Sequence, residues 1–440
     1  MKSKHLSQQD LQAYWMPFTP NRMFKKNPRM LAKAEGMYYY TDDGRKVLDG
    51  CSGLWCVNAG HGRSEIQEAI SHQVKELDYA TCFQMGSPIA FELAQALTKI
   101  TPDHMNSVFY TNSGSESVDT ALKIALAYHR LKGNASKTQF IGRSKAYHGV
   151  GFGGMSVGGL TYNRKTFGSL LSGVDHLQSP LNIEKNAFTK GMPQWGAHLA
   201  EELDELIKFH DASNVAAVII EPVIGSGGVV PPPVGYLERI QEICHKNDVL
   251  LILDEVITGF GRVGDSFAAN RFGLKPDLIT AAKGLSNGNI PMGAVFASDK
   301  IYNDFMTGPE YAIEFCHGYT YSGHPLACAV AKATLDIYLK EGLFERAKEI
   351  ETYFEDAIHS LQSHSSVVDI RNFGLMGGIE FDPIKGEPGV RAQKIFQKCF
   401  EYGATVRLSG EVVCLAPALI IEKEEIDKLV EIVSKSIKSV

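Results

Sequence analysis

Apolar and polar positions divide the middle of the chain into short β-rich runs separated by amphipathic helical stretches. Residues 107–111, 139–142, 215–221, 249–256, 278–282 and 293–297 are the strand candidates. Runs such as Val249-Leu250-Leu251-Ile252-Leu253 are continuously apolar, the pattern of strands covered on both faces. Between two of them, Val118, Ala121, Leu122, Ala125 and Leu126 recur at helical spacing. This alternation predicts an α/β fold, a mainly parallel sheet with helices on both faces. Outside it, residues 15–62 are rich in aromatic and turn residues. Residues 334–361 read as helical, 367–382 and 404–421 as strands, and 423–437 as an amphipathic helix. The expected organisation is an N-terminal segment (1–62) contributing to a small domain, a large domain (63–325) and a C-terminal small domain (326–440). At 440 residues the chain can bury a core of that size.

Composition narrows the function classes. A net charge of −6 argues against a general nucleic-acid or anionic-membrane binder. Residues 1–10 are polar and lack the apolar stretch of a secretory signal, and the apolar runs are too short to span a bilayer. Eight cysteines are scattered, with no C-x-x-C pair and no zinc-like His/Cys spacing. Reduced thiols in a cytoplasmic protein without a bound metal are the expectation.

Two strand ends carry the chemistry. The run 249–253 ends in the carboxylate Asp254, and Pro276-Asp277-Leu278-Ile279-Thr280-Ala281-Ala282 delivers Lys283. The carboxyl edge of an α/β sheet is where ligands bind. An acid and an amine placed there suit pyridoxal 5′-phosphate (PLP): the lysine bonds its aldehyde, and the aspartate keeps its pyridine nitrogen protonated. Asn112-Ser113-Gly114-Ser115-Glu116 joins a strand to a helix, and Ser113 and Glu116 have capping-box spacing. Helix N–H groups with the Ser115 hydroxyl could hold a phosphate there. Tyr147, opening a glycine-rich loop, could stack on a flat cofactor. Taken singly, each of these has a plainer reading as a cap, a packed aromatic or a surface charge.

Three lookalike motifs are set aside. Gly259-Phe260-Gly261-Arg262-Val263-Gly264 matches a dinucleotide fingerprint, but Asp254 and Glu255 precede it and would repel a pyrophosphate. Gly149-Val150-Gly151-Phe152-Gly153-Gly154 lacks the strand–helix context. Gly154-Met155-Ser156-Val157-Gly158 mimics a nucleophile elbow without its preceding strand.

Together, residues 251–262 and Lys283-Gly284 resemble the signature of the class III aminotransferases, PLP enzymes of fold-type I. Asp43-Gly44-Arg45, the run 53–62 and Glu221-Pro222-Val223-Ile224-Gly225-Ser226-Gly227-Gly228 are most similar to ω-amino acid (β-alanine):pyruvate aminotransferases. The resemblance implies that Lys283 binds the cofactor covalently and then shuttles the proton, while Asp254 pairs with the pyridine N–H. It implies that Tyr147 and Val256 pack on the ring, Gly114 and Ser115 hold the phosphate, and Glu221 supports the polar surroundings. Thr320 would come from a neighbouring subunit, making the protein a homodimer or homotetramer. Arg407 matches a substrate-carboxylate arginine and Trp55 an aromatic pocket wall. Ile224 and Ala418 depart from residues common elsewhere in the class. The implied reaction is ping-pong transfer of an amine from an ω-amino donor to pyruvate. Alternatives are a taurine or diamine aminotransferase, or a semialdehyde aminomutase.

Overall fold

The computed structural model describes residues 7–440, so the start of the polar segment 1–10 lies outside the described residues. Its centre is a seven-stranded sheet in the order Ser107–Thr111, Gly293–Ala297, Leu278–Ala281, Leu250–Asp254, Val215–Ile220, Gln139–Arg143, Val174–Leu177. Val215–Ile220 and Leu250–Asp254 are buried along their whole length, as their unbroken apolar sequence requires. Gly293–Ala297 runs antiparallel to both its neighbours, and the remaining pairs are parallel. Only residues 282–292 separate it from the preceding strand, too few for the crossover that a parallel return needs. Two antiparallel pairings in succession leave Ser107–Thr111 aligned with the parallel set. Six strand ends therefore open onto one edge. The strand Val174–Leu177 was not expected. It is an edge strand, largely half-buried, whose Val-Asp-His-Leu sequence has no apolar run.

Two four-stranded sheets flank this one. The first joins Leu31–Glu35, Tyr38–Thr41 and Lys46–Asp49 to Ala404–Thr405, so both ends of the chain build it. The second is antiparallel: Val367–Phe373, Met376–Phe381, Val412–Leu415 and Arg407–Ser409. The helical stretch expected at 334–361 is two helices, Pro325–Lys340 and Leu343–His359, parted at Gly342 (φ +59°), where glycine accepts left-handed backbone cheaply. Among the described residues no helix is long and apolar enough to cross a membrane.

Arg262 ties these parts together. Fully buried, it donates to Ser52 Oγ (3.0 Å), Asn58 Oδ1 (2.6 Å) and the carbonyls of Leu375 (3.3 Å) and Pro417 (2.5 Å). Gly374 allows the approach, since a Cβ there would lie 2.4 Å from the Arg262 carbonyl oxygen. The fingerprint-like hexapeptide 259–264 is thus a turn, with Phe260, Gly261 and Gly264 at positive φ, and its arginine holds other segments in place.

Candidate active site

The carboxyl edge of the large sheet gathers the expected polar groups. Asp254 ends its strand and is 4% exposed. Its Oδ1 accepts hydrogen bonds from the Val256 N–H (3.1 Å) and the Thr280 hydroxyl (3.1 Å). Its Oδ2 lies 2.7 Å from His148 Nδ1, which donates to it. Three donors on one buried carboxylate fix its direction and offset the cost of withdrawing it from water.

Lys283 follows the neighbouring strand, at φ +47°, in a short 3-10 turn. Strained backbone of this kind persists where the surroundings hold it. The residue is half-buried and its Nζ is enclosed by protein. Burial lowers its amine below the ordinary lysine value, against the upward pull of Asp254, Cys56 and Glu221. A lowered amine is more often unprotonated, and so a better nucleophile and base at neutral pH.

Glu221, directly after its own strand, is buried and pushed up from the usual carboxylate range by that burial. Its two carboxylate oxygens accept the N–H groups of Tyr147 and Gly225, each at 2.9 Å. Tyr147 is thereby held at the mouth of the loop after Gln139–Arg143. Burial also raises its phenol, with Arg407 opposing.

Ser113 caps the helix Gly114–Leu131 by accepting the Glu116 N–H (3.2 Å). The return bond of the expected capping box goes one residue earlier: Glu116 accepts the N–H of Asn112 (2.7 Å). The first N–H groups of the helix, at Gly114 and Ser115, have no intrahelical partner by geometry. Gly114 packs on Val256, whose Cγ1 would stand 2.9 Å from a Cβ at that position. The Ser115 hydroxyl accepts the Val150 N–H (3.0 Å), pinning the loop of Tyr147 to this helix end.

A cavity of about 120 Å³ is lined by Phe18, Trp55, Tyr147, Lys283, Arg407 and Ser409, among others. Trp55 is 2% exposed and at positive φ, whereas Arg407 is exposed. Ile224 and Ala418, the two departures, are buried and do not line this cavity. Thr320 is exposed and does not line it either; its carbonyl accepts the Tyr79 hydroxyl (3.1 Å).

His148 and Thr280 were missed as site residues. Their sequence signal was proximity alone, His148 next to Tyr147 and Thr280 three residues before Lys283. Among the described residues no group of three or more His, Cys, Asp or Glu side chains could hold a metal ion. The donor set fits PLP: an enclosed amine, a buried carboxylate held by three donors, and a helix amino terminus beside both.

A sequence model of the family described as aminotransferase class-III matches residues 21–437. The chain is 58% identical to an omega-aminotransferase of Caulobacter vibrioides, over 97% of each chain. It is 48% identical to a beta-alanine–pyruvate aminotransferase of Pseudomonas aeruginosa, over 99% of this chain and 97% of that one. It is also similar to an amine transaminase from an uncultivated Pseudomonas species, solved in its PLP-bound form. That structure superposes with a TM-score of 0.90 at 33% identity, covering 97% of this chain and 98% of the other.

Proposed function

The chain belongs to the class III aminotransferases, PLP-dependent enzymes of fold-type I, and from that premise we propose that it transfers the amine of an ω-amino acid such as β-alanine to pyruvate. The products are a semialdehyde and L-alanine. One observation carries the assignment of substrates: Arg407 opens onto the same small cavity as Lys283. A guanidinium there can pair a keto-acid carboxylate through two parallel hydrogen bonds while the carbonyl faces the amine. The names of the two curated relatives agree with this choice.

When bound, PLP would supply an aldehyde able to carry an amino group and a ring able to delocalise an electron pair. Lys283 would hold the cofactor at its aldehyde and would serve as the base that moves the proton at the donor's amine-bearing carbon. Asp254 would hold the pyridine nitrogen protonated, its carboxylate aimed by His148 and Thr280. Gly114 and Ser115 offer helix N–H groups to the phosphate. Tyr147 and Val256 would pack against the ring, with Glu221 fixing Tyr147 in place. Trp55 walls the substrate side. Arg407 turns toward pyruvate and away from donors that are bulky or carry no carboxylate.

The active unit is a homodimer or a larger homo-oligomer, with Thr320 completing the phosphate site of the neighbouring subunit. Its exposed position, away from its own Lys283 cavity, supports that role. So does the apolar surface around it, Phe83, Met85, Phe91 and Tyr321. The flanking sheets support a division into 1–62 and 326–440 as small domain and 63–325 as large domain. All eight cysteines are free, in keeping with the cytoplasm.

Product analysis tests the reading. Incubation with PLP, β-alanine and pyruvate is expected to give alanine and malonic semialdehyde in equal amounts. Alanine from taurine or putrescine but not from β-alanine would reassign the donor. Absence of alanine with every donor would refute transfer to pyruvate.

A further inference from the structure

Trp55 and Arg407 reach the cavity from opposite ends of the chain, on a turn and a strand that lie outside the large sheet. One carboxylate touches both supports. Asp49 ends the strand Lys46–Asp49 and is 2% exposed. Its Oδ1 accepts the Cys51 N–H (3.1 Å) and the Thr405 hydroxyl (3.0 Å). Its Oδ2 accepts the Gly53 N–H (2.6 Å) and lies 2.8 Å from His61 Nε2.

Both links matter for the cavity. The turn capped through Cys51 and Gly53 has Ser52, Gly53 and Trp55 at φ +45°, +66° and +61°. Backbone of that kind keeps its shape only when neighbouring bonds over-determine it. Thr405 stands two residues before Arg407, and its strand pairs in parallel with the strand of Asp49. Ser52 Oγ further donates to the Ala416 carbonyl (2.6 Å), beyond the strand that pairs with Arg407–Ser409.

We infer that Asp49 is a positioning residue that sets the Arg407 strand against the Trp55 turn, and through Thr405 controls recognition of the keto-acid carboxylate. The inference rests on the assignment of Arg407 to that carboxylate. Oδ1 joins Thr405 to the turn's Cys51 N–H, while Oδ2 holds the turn through Gly53. Removing the Thr405 hydroxyl therefore loosens the Arg407 side while leaving the turn's Cys51 and Gly53 N–H bonds and the His61 contact in place. Threonine to valine keeps the side-chain shape and the backbone pairing, so the strand stays folded.

The test compares two acceptors with the PLP-loaded enzyme: pyruvate, which presents a carboxylate, and propanal, which has none. Thr405→Val is expected to raise KM for pyruvate roughly tenfold, the loss of one hydrogen bond to a charged group. KM for propanal and kcat at saturation are expected to stay near wild type, and Thr405→Ser is expected to restore pyruvate. Asp49→Asn is expected to weaken pyruvate as Thr405→Val does and to raise KM for the amine donor as well. Equal rises for both acceptors, or none for either, would overturn the inference, as would failure of the serine variant to restore. A wild-type enzyme that used propanal but not pyruvate would count against both this inference and the functional reading. Wild-type use of pyruvate with an unaffected valine variant would count against this inference alone.

Discussion

Environment separates residues of similar chemistry along the carboxyl edge. Asp254 and Glu255 are consecutive and both buried, yet they turn to different partners. Asp254 is held by His148, Thr280 and the Val256 N–H, beside Lys283. Glu255 instead caps a short helix, accepting the N–H groups of Ala268 (2.5 Å) and Ala269 (2.8 Å) and the Thr258 hydroxyl (3.0 Å). Burial pushes Glu255 up from 4.5 to about 7. A carboxyl raised on folding contributes stability that is fully present below pH 4.5 and is lost as pH rises through about 7. Glu255→Gln is accordingly expected to flatten the fall in urea midpoint between pH 5 and pH 8. An identical fall in the variant would remove Glu255 as its source. At Arg407 the expectation concerns catalysis. Arg407→Ala is expected to slow the pyruvate half-reaction by 10-fold or more, the worth of a charge-assisted pair, and the half-reaction of a carboxylate-free amine much less. Single-turnover rates of the two half-reactions would show it. Lys283 and Asp254 were legible because each ends an apolar run with an ionisable group. His148 was not, because its partner lies 106 residues away and only the fold brings the two together.

At the scale of elements, the strands of the large sheet could be read where burial on both faces wrote an unbroken apolar run. Leu278–Ala281 and Val215–Ile220 are cases in point. Val174–Leu177 escaped because an edge strand needs no such run. Direction escaped too, since periodicity is the same for parallel and antiparallel strands; only the short return through 282–292 argued for the reversal at Gly293–Ala297. The turn 259–264 shows the converse error that spacing invites. Its glycines match a nucleotide-binding pattern, but they serve a tight turn whose Arg262 binds Ser52, Asn58 and two carbonyls of the C-terminal region. Arg262→Met is expected to destabilise the protein by on the order of 3 kcal/mol in urea titration, because several buried acceptors lose their donor together. A loss under 1 kcal/mol would mean that these segments are held by other contacts.

In the whole molecule, the cavity of Lys283 sits where the large sheet meets segments from both ends of the chain. In the proposed dimer, Thr320 of one copy would complete the cofactor site of the other. Tyr79, Phe83 and Tyr321 form one exposed apolar patch with the loop of Thr320, Tyr79 bonding its carbonyl and Phe83 packing on Gly318. Phe91, 72% exposed on the same face, is the residue to change. Phe91→Asp is expected to shift sedimentation from dimer to monomer and to weaken PLP retention on dialysis. A variant that stays dimeric would place the interface elsewhere. The most direct measurement follows the visible absorbance of the purified, PLP-loaded protein as β-alanine is added without acceptor, and then as pyruvate is added. Loss of the band with β-alanine and its return with pyruvate is the expected result. A band that β-alanine leaves unchanged, or that pyruvate fails to restore, would contradict the assignment of an ω-amino acid:pyruvate aminotransferase.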